Sequence, residues 1–408
     1  MARHPSRAPA PMTCPNPIPP LSFSRRTRWD LSANRLSELL ERARAAPERI
    51  LDLSETNPTR CGLAWPAGEL AAALEQGDPA TYAPDPRGDP AARQAIAEYA
   101  SSLGASVGPD SVVMTASTSE AYSFLLKLLC DSGDEVLVPS PSYPLLDVLC
   151  QLESTRLVRY PLRYDGTWHI DLAALAGALT DRTRAVVVVS PSNPTGASLD
   201  PAELGALELL CVERGIGLIG DEVFADTALG AAVSVATCRE ALAFHLSGAS
   251  KTCGLPQVKA GWIVVAGREP ARRRALERLE MISDAFLSVS GPAQRALPVL
   301  LRRRHVFLDR LRGRLAGNRA ALASLEAAGA PLTPLRSGGG WSAVLRIGET
   351  LDEESLCARL VEDGVIAHPG FFYDFETSGH LVVSLLAEPE VFREGIGRIA
   401  TVLAAAGS

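Results

Sequence analysis

The sequence predicts an α/β protein, with a mostly parallel, seven-stranded sheet in a large domain and a smaller α+β domain beside it. Between residues 91 and 266, seven short apolar runs bounded by turn residues alternate with helical segments: VVMT, EVLV, RLVRY, AVVVVS, GIGLIG, AFHLSG and GWIVVAG. AVVVVS is continuously hydrophobic rather than alternating, as expected of a strand covered by helices on both faces. The length of 408 residues exceeds one simple core, and 47% hydrophobic with 21% charged residues describes an ordinary globular chain.

Taken in order, the first 20 residues hold seven prolines with Arg3, His4 and Arg7 and no apolar leader segment, so residues 1–28 read as a flexible proline-rich arm. Residues 29–60 should supply a helix and a strand to the small domain. In LSANRLSELLERARA, Leu31, Leu36, Leu39 and Leu40 fall on one helical stripe. An irregular, proline-marked stretch follows from Asn57 to Pro90. The large, ligand-binding domain is expected over 61–295 and the small C-terminal domain over 296–408. The latter starts helical to about Ala328, and SGGGWSAVLRI, GVIAHPG and HLVVSLLA then suggest a second sheet.

Several function classes are disfavoured by composition. A net charge of −7 argues against nucleic-acid or anionic-membrane partners. The basic stretches ARRRALERL and LLRRRHVFLDRLRGRL carry leucines at helical spacing and read as solvated helix faces. No apolar run approaches the ~18 residues of a membrane span. Eight scattered cysteines without a CxxC pair, and histidines 169, 245, 305, 368 and 380 without ligand spacing, suggest neither a metal site nor a disulfide framework; a reducing cytoplasm fits best.

In open α/β sheets, ligands bind beyond the carboxyl ends of the strands. There the sequence places ASTSEAYSFLLKLL after VVMT, small hydroxyl residues opening a helix whose free amides suit a phosphate. PSNPTG after AVVVVS presents Asn193, and GIGLIG is followed by the carboxylate of Asp221. AFHLSG leads to Ser250 and Lys251, and Lys127, Lys251 and Lys259 are the only lysines, against 37 arginines. Gly215, Gly217 and Gly220 before Asp221 superficially spell a dinucleotide fingerprint. That motif needs a strand before its first glycine and a helix at its third, whereas here the glycine segment itself is strand-like. An amine, a carboxylate, an amide donor and an anion cradle on one rim form the set that pyridoxal phosphate (PLP) requires.

With Tyr82, Gly88 and Arg93 in YAPDPRGDPAAR, then STS at 117–119, PSYP, SNPTG, DEVF and SKTCGLPQVKAGW, the chain from about Leu51 onward resembles the fold-type I, class I/II aminotransferase family of PLP enzymes. The resemblance implies Lys251 as imine-forming lysine and proton shuttle and Asp221 as partner of the pyridine nitrogen. It further implies Asn193 as donor to the phenolic oxygen, Tyr143 stacked on the ring, and Ser117, Thr118 and Ser119 with Ser250 and Lys259 around the phosphate. Tyr82 would reach the phosphate of a neighbouring subunit, implying a homodimer.

Four positions depart from the family pattern. Phe224 replaces a tyrosine, Gly248 a serine, Thr56 a glycine, and Val382 the arginine that grips the substrate carboxylate. Arg60, after ETNPT, and Arg346, in GGGWSAVLRI, are the candidates to replace that grip, with Thr56, Asn57 and Trp341 as further substrate-facing residues. The expected activity is amino transfer between an amino acid, or a related amine, and a 2-oxo acid. A PLP lyase, decarboxylase or cyclising enzyme on the same scaffold is the alternative.

Overall fold

The computed structural model describes residues 22–31, 35–45, 50–76, 81–231, 233–348 and 352–406. Residues 1–21 of the expected arm lie outside the described residues. Residues 22–31 contain a 3-10 turn, Arg25–Thr27, and Trp29 Nε1 donates to Gln151 Oε1 at 2.7 Å.

Strands β1 to β14 are, in chain order, Leu51–Asp52, Val112–Thr115, Glu135–Ser140, Arg156–Tyr164, Trp168–Ile170, Thr183–Val189, Gly217–Asp221, Ala243–Gly248, Gly261–Ala266, Thr333–Pro334, Ser342–Arg346, Val365–Ile366, His368–Pro369 and His380–Ser384. The large sheet runs β2-β9-β8-β7-β6-β3-β4-β5. Among the described residues it has eight strands rather than the expected seven: the addition is β5, a short return that pairs antiparallel with the far half of β4. β9 also runs antiparallel to both its neighbours, while β3, β4, β6, β7 and β8 pair in parallel, so the sheet is mixed with a parallel centre.

The buried run in β6 shows why such a strand is apolar throughout. With period-two alternation, Ala185 and Val187 face the core beneath helices Thr118–Leu129, Leu145–Leu152 and Ala271–Asp284. Val186 and Val188 face the opposite core with Leu175, Leu204 and Leu207. Helix Pro201–Arg214 shows how its sequence sets both ends: Asp200 and Glu203 form a reciprocal capping box, Pro201 occupies the first turn, and Gly215 closes the helix at φ +64°. Gly215 is thus a helix cap, while Gly217 and Gly220 lie within β7. At Gly220 a Cβ would stand 2.5 Å from Val235 Cγ2.

The smaller part comprises the antiparallel sheet β10-β11-β14-β13 and the parallel pair β1-β12. Helices Arg35–Ala45, His305–Ala327, Glu353–Glu362 and Pro389–Ala406 contribute Leu36, Leu311, Leu360 and Ile399 to one core with Leu51, Val365 and Leu381. Among the described residues no helix is long and apolar enough to cross a membrane.

Candidate active site

Carboxyl ends of the central strands converge with the start of β11 on a cleft of about 220 Å³. Eight of the residues singled out from the sequence line it: Thr56, Thr118, Tyr143, Asn193, Asp221, Phe224, Lys251 and Trp341.

Lys251 sits in the short helix Ala249–Thr252 that follows β8. Its Nζ lies 4.8 Å from the centre of the Trp341 ring and 5.8 Å from that of Phe224. Burial pulls its pKa below the usual lysine value, opposed by the charge of Asp221. The consequence is a larger share of neutral amine, the form that attacks an aldehyde.

Asp221 ends β7. Its Oδ2 accepts from the Tyr122 hydroxyl at 3.0 Å and its Oδ1 from the Val223 N–H at 3.3 Å. Burial pushes its pKa up to about 6, with these two hydrogen bonds and His245 pulling it back. Behind it, Glu222 and His245 form a fully buried pair, His245 Nδ1 to Glu222 Oε2 at 2.9 Å.

Ser117 caps helix Thr118–Leu129, its Oγ accepting from the Glu120 N–H at 3.2 Å. The first-turn amides of a helix have no intrahelical acceptor and face outward with the positive end of the helix dipole. Ser119 occupies that turn, half-buried. Gly261, at the start of β9, permits the close approach of this helix's N-terminus to β9, since a Cβ there would meet the Ser117 backbone at 3.0 Å. Gly248, the departure noted before Lys251, has the same origin: it pairs with Gly261, and a Cβ would stand 3.0 Å from the Ala260 carbonyl oxygen. Lys259 lies two residues before Gly261, exposed, at φ +56°. Ser250 adjoins Lys251 and is half-buried.

The SNPTG turn is locked against the glycine loop that precedes β11. Gly338 N–H donates to the Gly196 carbonyl at 2.8 Å, the Leu229 N–H to the Gly338 carbonyl at 2.8 Å, and the Gly340 N–H to Thr227 Oγ1 at 3.2 Å. Gly196 has φ +67°, and a Cβ there would fall on the Gly339 carbonyl oxygen and 2.6 Å from Ser337 Cβ. Glycine is therefore required for conformation and for close approach at once. The lock brings Trp341 over Lys251 and sets Ser342 Oγ 3.5 Å from Asn193 Oδ1, leaving the Asn193 amide NH₂ as a donor toward the cleft.

Other candidates are not brought to the cleft. Asn57 caps a turn, its Oδ1 accepting from the N–H and Oγ1 of Thr59. Arg60 is exposed and 3.5 Å from Glu55. Arg346 stands at the far end of β11 from Trp341, exposed, with its guanidinium 5.6 Å from the Tyr164 ring centre. Tyr82, 79% exposed, borders a separate cavity with Gln294 and Arg295. Val382 is buried against Leu335, Val344 and Tyr373, so no guanidinium takes its place there. Among the described residues, Lys251 is the one basic side chain lining the cleft. Sequence reasoning missed Tyr122, Ser142, Val223 and Ser342, which line the walls together with Leu145, Leu146 and Val189. Tyr122 had a signal: it lies one helical turn beyond Thr118.

An amine whose pKa burial lowers, a carboxylate lining the cleft, an amide donor and a helix N-terminus fit a phosphorylated pyridine aldehyde. Comparison with known proteins leads to the same group. The family described as aminotransferase class I and II matches residues 49–399. An arginine–pyruvate transaminase from Pseudomonas aeruginosa is 30% identical over 91% of this chain and 93% of its own length. A glutamate–pyruvate aminotransferase from Haemophilus influenzae is 28% identical over 62% of this chain, which spans only 64% of that relative's length. In fold, an alanine aminotransferase from Pyrococcus furiosus superposes with a TM-score of 0.85 at 23% identity, covering 94% of this chain and all (100%) of the other. The chain belongs to the class I and II aminotransferase family, and its cofactor is pyridoxal 5′-phosphate.

Proposed function

We propose that the protein is an aminotransferase that moves an amino group between an amino acid, or a related amine, and a 2-oxo acid. The observation that carries this reading is the shared cleft of Lys251, Asp221, Asn193 and Thr118. The cofactor, when bound, supplies an electron sink for the substrate Cα. Lys251 holds and returns the proton at Cα, helped by the burial that favours its neutral form. Asp221 keeps a proton on the pyridine nitrogen. Asn193 donates to the phenolic oxygen, which Phe224 leaves with one donor fewer than a tyrosine would provide. Tyr143, half exposed at the cleft mouth, covers the ring and excludes water. Ser117, Thr118, Ser119, Ser250 and Lys259 hold the phosphate, joined by Tyr82 of a second copy in a homodimer. All seven described cysteines are free thiols, which fits a reducing cytoplasm.

A second reading, lyase, decarboxylase or cyclising enzyme, is favoured by the cleft wall. A substrate carboxylate gripped in the usual bidentate way needs a guanidinium, and none lines the cleft among the described residues. The purified holoenzyme, screened spectrally against all amino acids and a set of carboxylate-free amines, separates the two. Amino transfer leaves the cofactor in its amino form with loss of visible absorbance, whereas elimination or decarboxylation restores the starting spectrum and releases a second product. Borohydride reduction and peptide mapping should label Lys251; a label on Lys127 or Lys259 would overturn the assignment.

A further inference from the structure

Tyr122 has no part in the roles set out above, yet among the described residues it is the one side chain that donates a hydrogen bond to Asp221. It reaches Asp221 from a different element, one turn into helix Thr118–Leu129, across 99 residues of sequence. We propose that Tyr122 is a positioning residue that orients the Asp221 carboxylate and keeps it ionised beneath the cofactor; this rests on Asp221 being the partner of the pyridine nitrogen.

The geometry is that of a clamp. One carboxylate oxygen is fixed by the phenol and the other by the Val223 N–H, so rotation of the carboxylate would break both bonds. A tyrosine that served only to fill the core would be replaceable by leucine or phenylalanine, and its buried hydroxyl would cost stability without a partner. Here the hydroxyl has a single acceptor, and that acceptor lies in the cleft. Burial, with Asp221 beside it, holds the Tyr122 phenol well above its ordinary pKa, so it remains a donor at every working pH.

Among the described residues, the charged and titratable groups facing Asp221 are few. They are Tyr122 from helix Thr118–Leu129, His245 from β8, Glu222 next in the chain, and Lys251. His245 and Glu222 are committed to each other at 2.9 Å. That leaves Tyr122 and the Val223 amide as the direct hydrogen-bonding counterweights to burial. Without the phenol, the proton shared between the carboxylate and the pyridine nitrogen shifts toward Asp221. The ring then becomes a weaker electron sink.

Tyr122→Phe keeps the ring and removes the donor. In apoenzyme carrying carboxyl-¹³C aspartate, with Asp221→Asn providing the assignment, the Asp221 midpoint should rise by about one to two pH units, the equivalent of one hydrogen bond to a charged acceptor. In holoenzyme reconstituted with ¹⁵N-pyridine cofactor, the ring nitrogen signal should move toward its unprotonated position. The donor half-reaction should slow roughly 10-fold in the wild-type background but less than about 2-fold in the Asp221→Asn background, because the two residues act as one unit. An unchanged Asp221 midpoint, an unmoved ring nitrogen signal, or equal losses in both backgrounds would each overturn the proposal. Neither nuclear magnetic resonance readout requires turnover, so both test Tyr122 even if no amino acid converts the cofactor to its amino form, the outcome that defeats the transamination reading alone.

Discussion

Replacing Gly196 by alanine should destabilise the protein and damage the site together. At φ +67° any Cβ sits in the left-handed region, which costs an L-residue about 1 to 2 kcal/mol. The same Cβ would land on the Gly339 carbonyl oxygen and 2.6 Å from Ser337, and this backbone cannot yield as a side chain would. Overpacking of that kind adds about 1 to 3 kcal/mol. Gly340→Ala isolates the first effect: its φ is +81°, but the nearest atom is 3.5 Å away, so about 1 to 2 kcal/mol is expected. Gly205→Ala is the opposite control, an exposed helical glycine with nothing within 4 Å, and should stabilise by roughly 0.5 to 1 kcal/mol. Urea unfolding of the three variants should therefore rank Gly205→Ala, wild type, Gly340→Ala, Gly196→Ala. Because the Gly196 turn carries Asn193 and the glycine loop carries Trp341, Gly196→Ala should also slow the first half-reaction. A Gly196→Ala protein within about 0.5 kcal/mol of wild type, the range of ordinary surface changes, would refute the close-approach argument.

Other outcomes follow from the same geometry. Val382→Arg should lower thermal stability by about 3 kcal/mol or more and fail to raise kcat/KM for amino acids, since it places an unpaired guanidinium among Leu335, Val344 and Tyr373. Arg60→Met and Arg346→Met should change the first half-reaction less than roughly 3-fold, because exposed charges away from the cleft contribute little. Asp221 has its folded pKa raised from 3.8 to about 6, so the folded apoenzyme holds a proton the unfolded chain has released, and stability from this group is lost as pH rises from 3.8 through 6. Apoenzyme melting followed from pH 4 to 7 should show that decline, and Asp221→Asn should flatten it. Mixing a Tyr82→Ala protein with a Lys251→Ala protein should restore some active sites if the homodimer shares Tyr82 between subunits; hybrids that form but stay inactive would argue for self-contained subunits.

Some features were legible in the sequence because their signal is local. The seven apolar runs became strands since each is bounded by turn residues and all but RLVRY are largely buried, and Asn193, Asp221 and Lys251 each lie within three residues of the end of such a run. β5 was not legible: Trp168–Ile170 is three residues long and only its last is buried, so it exists through pairing with β4 rather than through its own pattern. Tyr122 was hidden for a related reason. Its neighbours Phe124, Leu125 and Leu126 mark a core helix, and its spacing one turn beyond Thr118 points toward the rim without naming a partner 99 residues away. Arg346 shows the converse error. A glycine-aromatic start correctly placed β11 beside the cleft, but a strand advances about 3.3 Å per residue, so four residues beyond Ser342 the side chain is over Tyr164 instead.

The strand order also dictates when this site can come into being. Among the described residues, β2, which leads into helix Thr118–Leu129, has no partner in the sheet except β9, and Val112 must find Val264. β8 and β9 lie between β2 and β7, so a nascent chain ending near Asp221 holds the amide and the carboxylate together through the pairing of β6 and β7 but lacks the strands that set the helix N-terminus beside them. Closure of that long loop waits on β8 and β9, which also deliver Lys251. Cofactor capture is accordingly tied to a late step of folding, and fragments that stop before residue 266 should bind none, although most of the polar groups of the site are already in the chain.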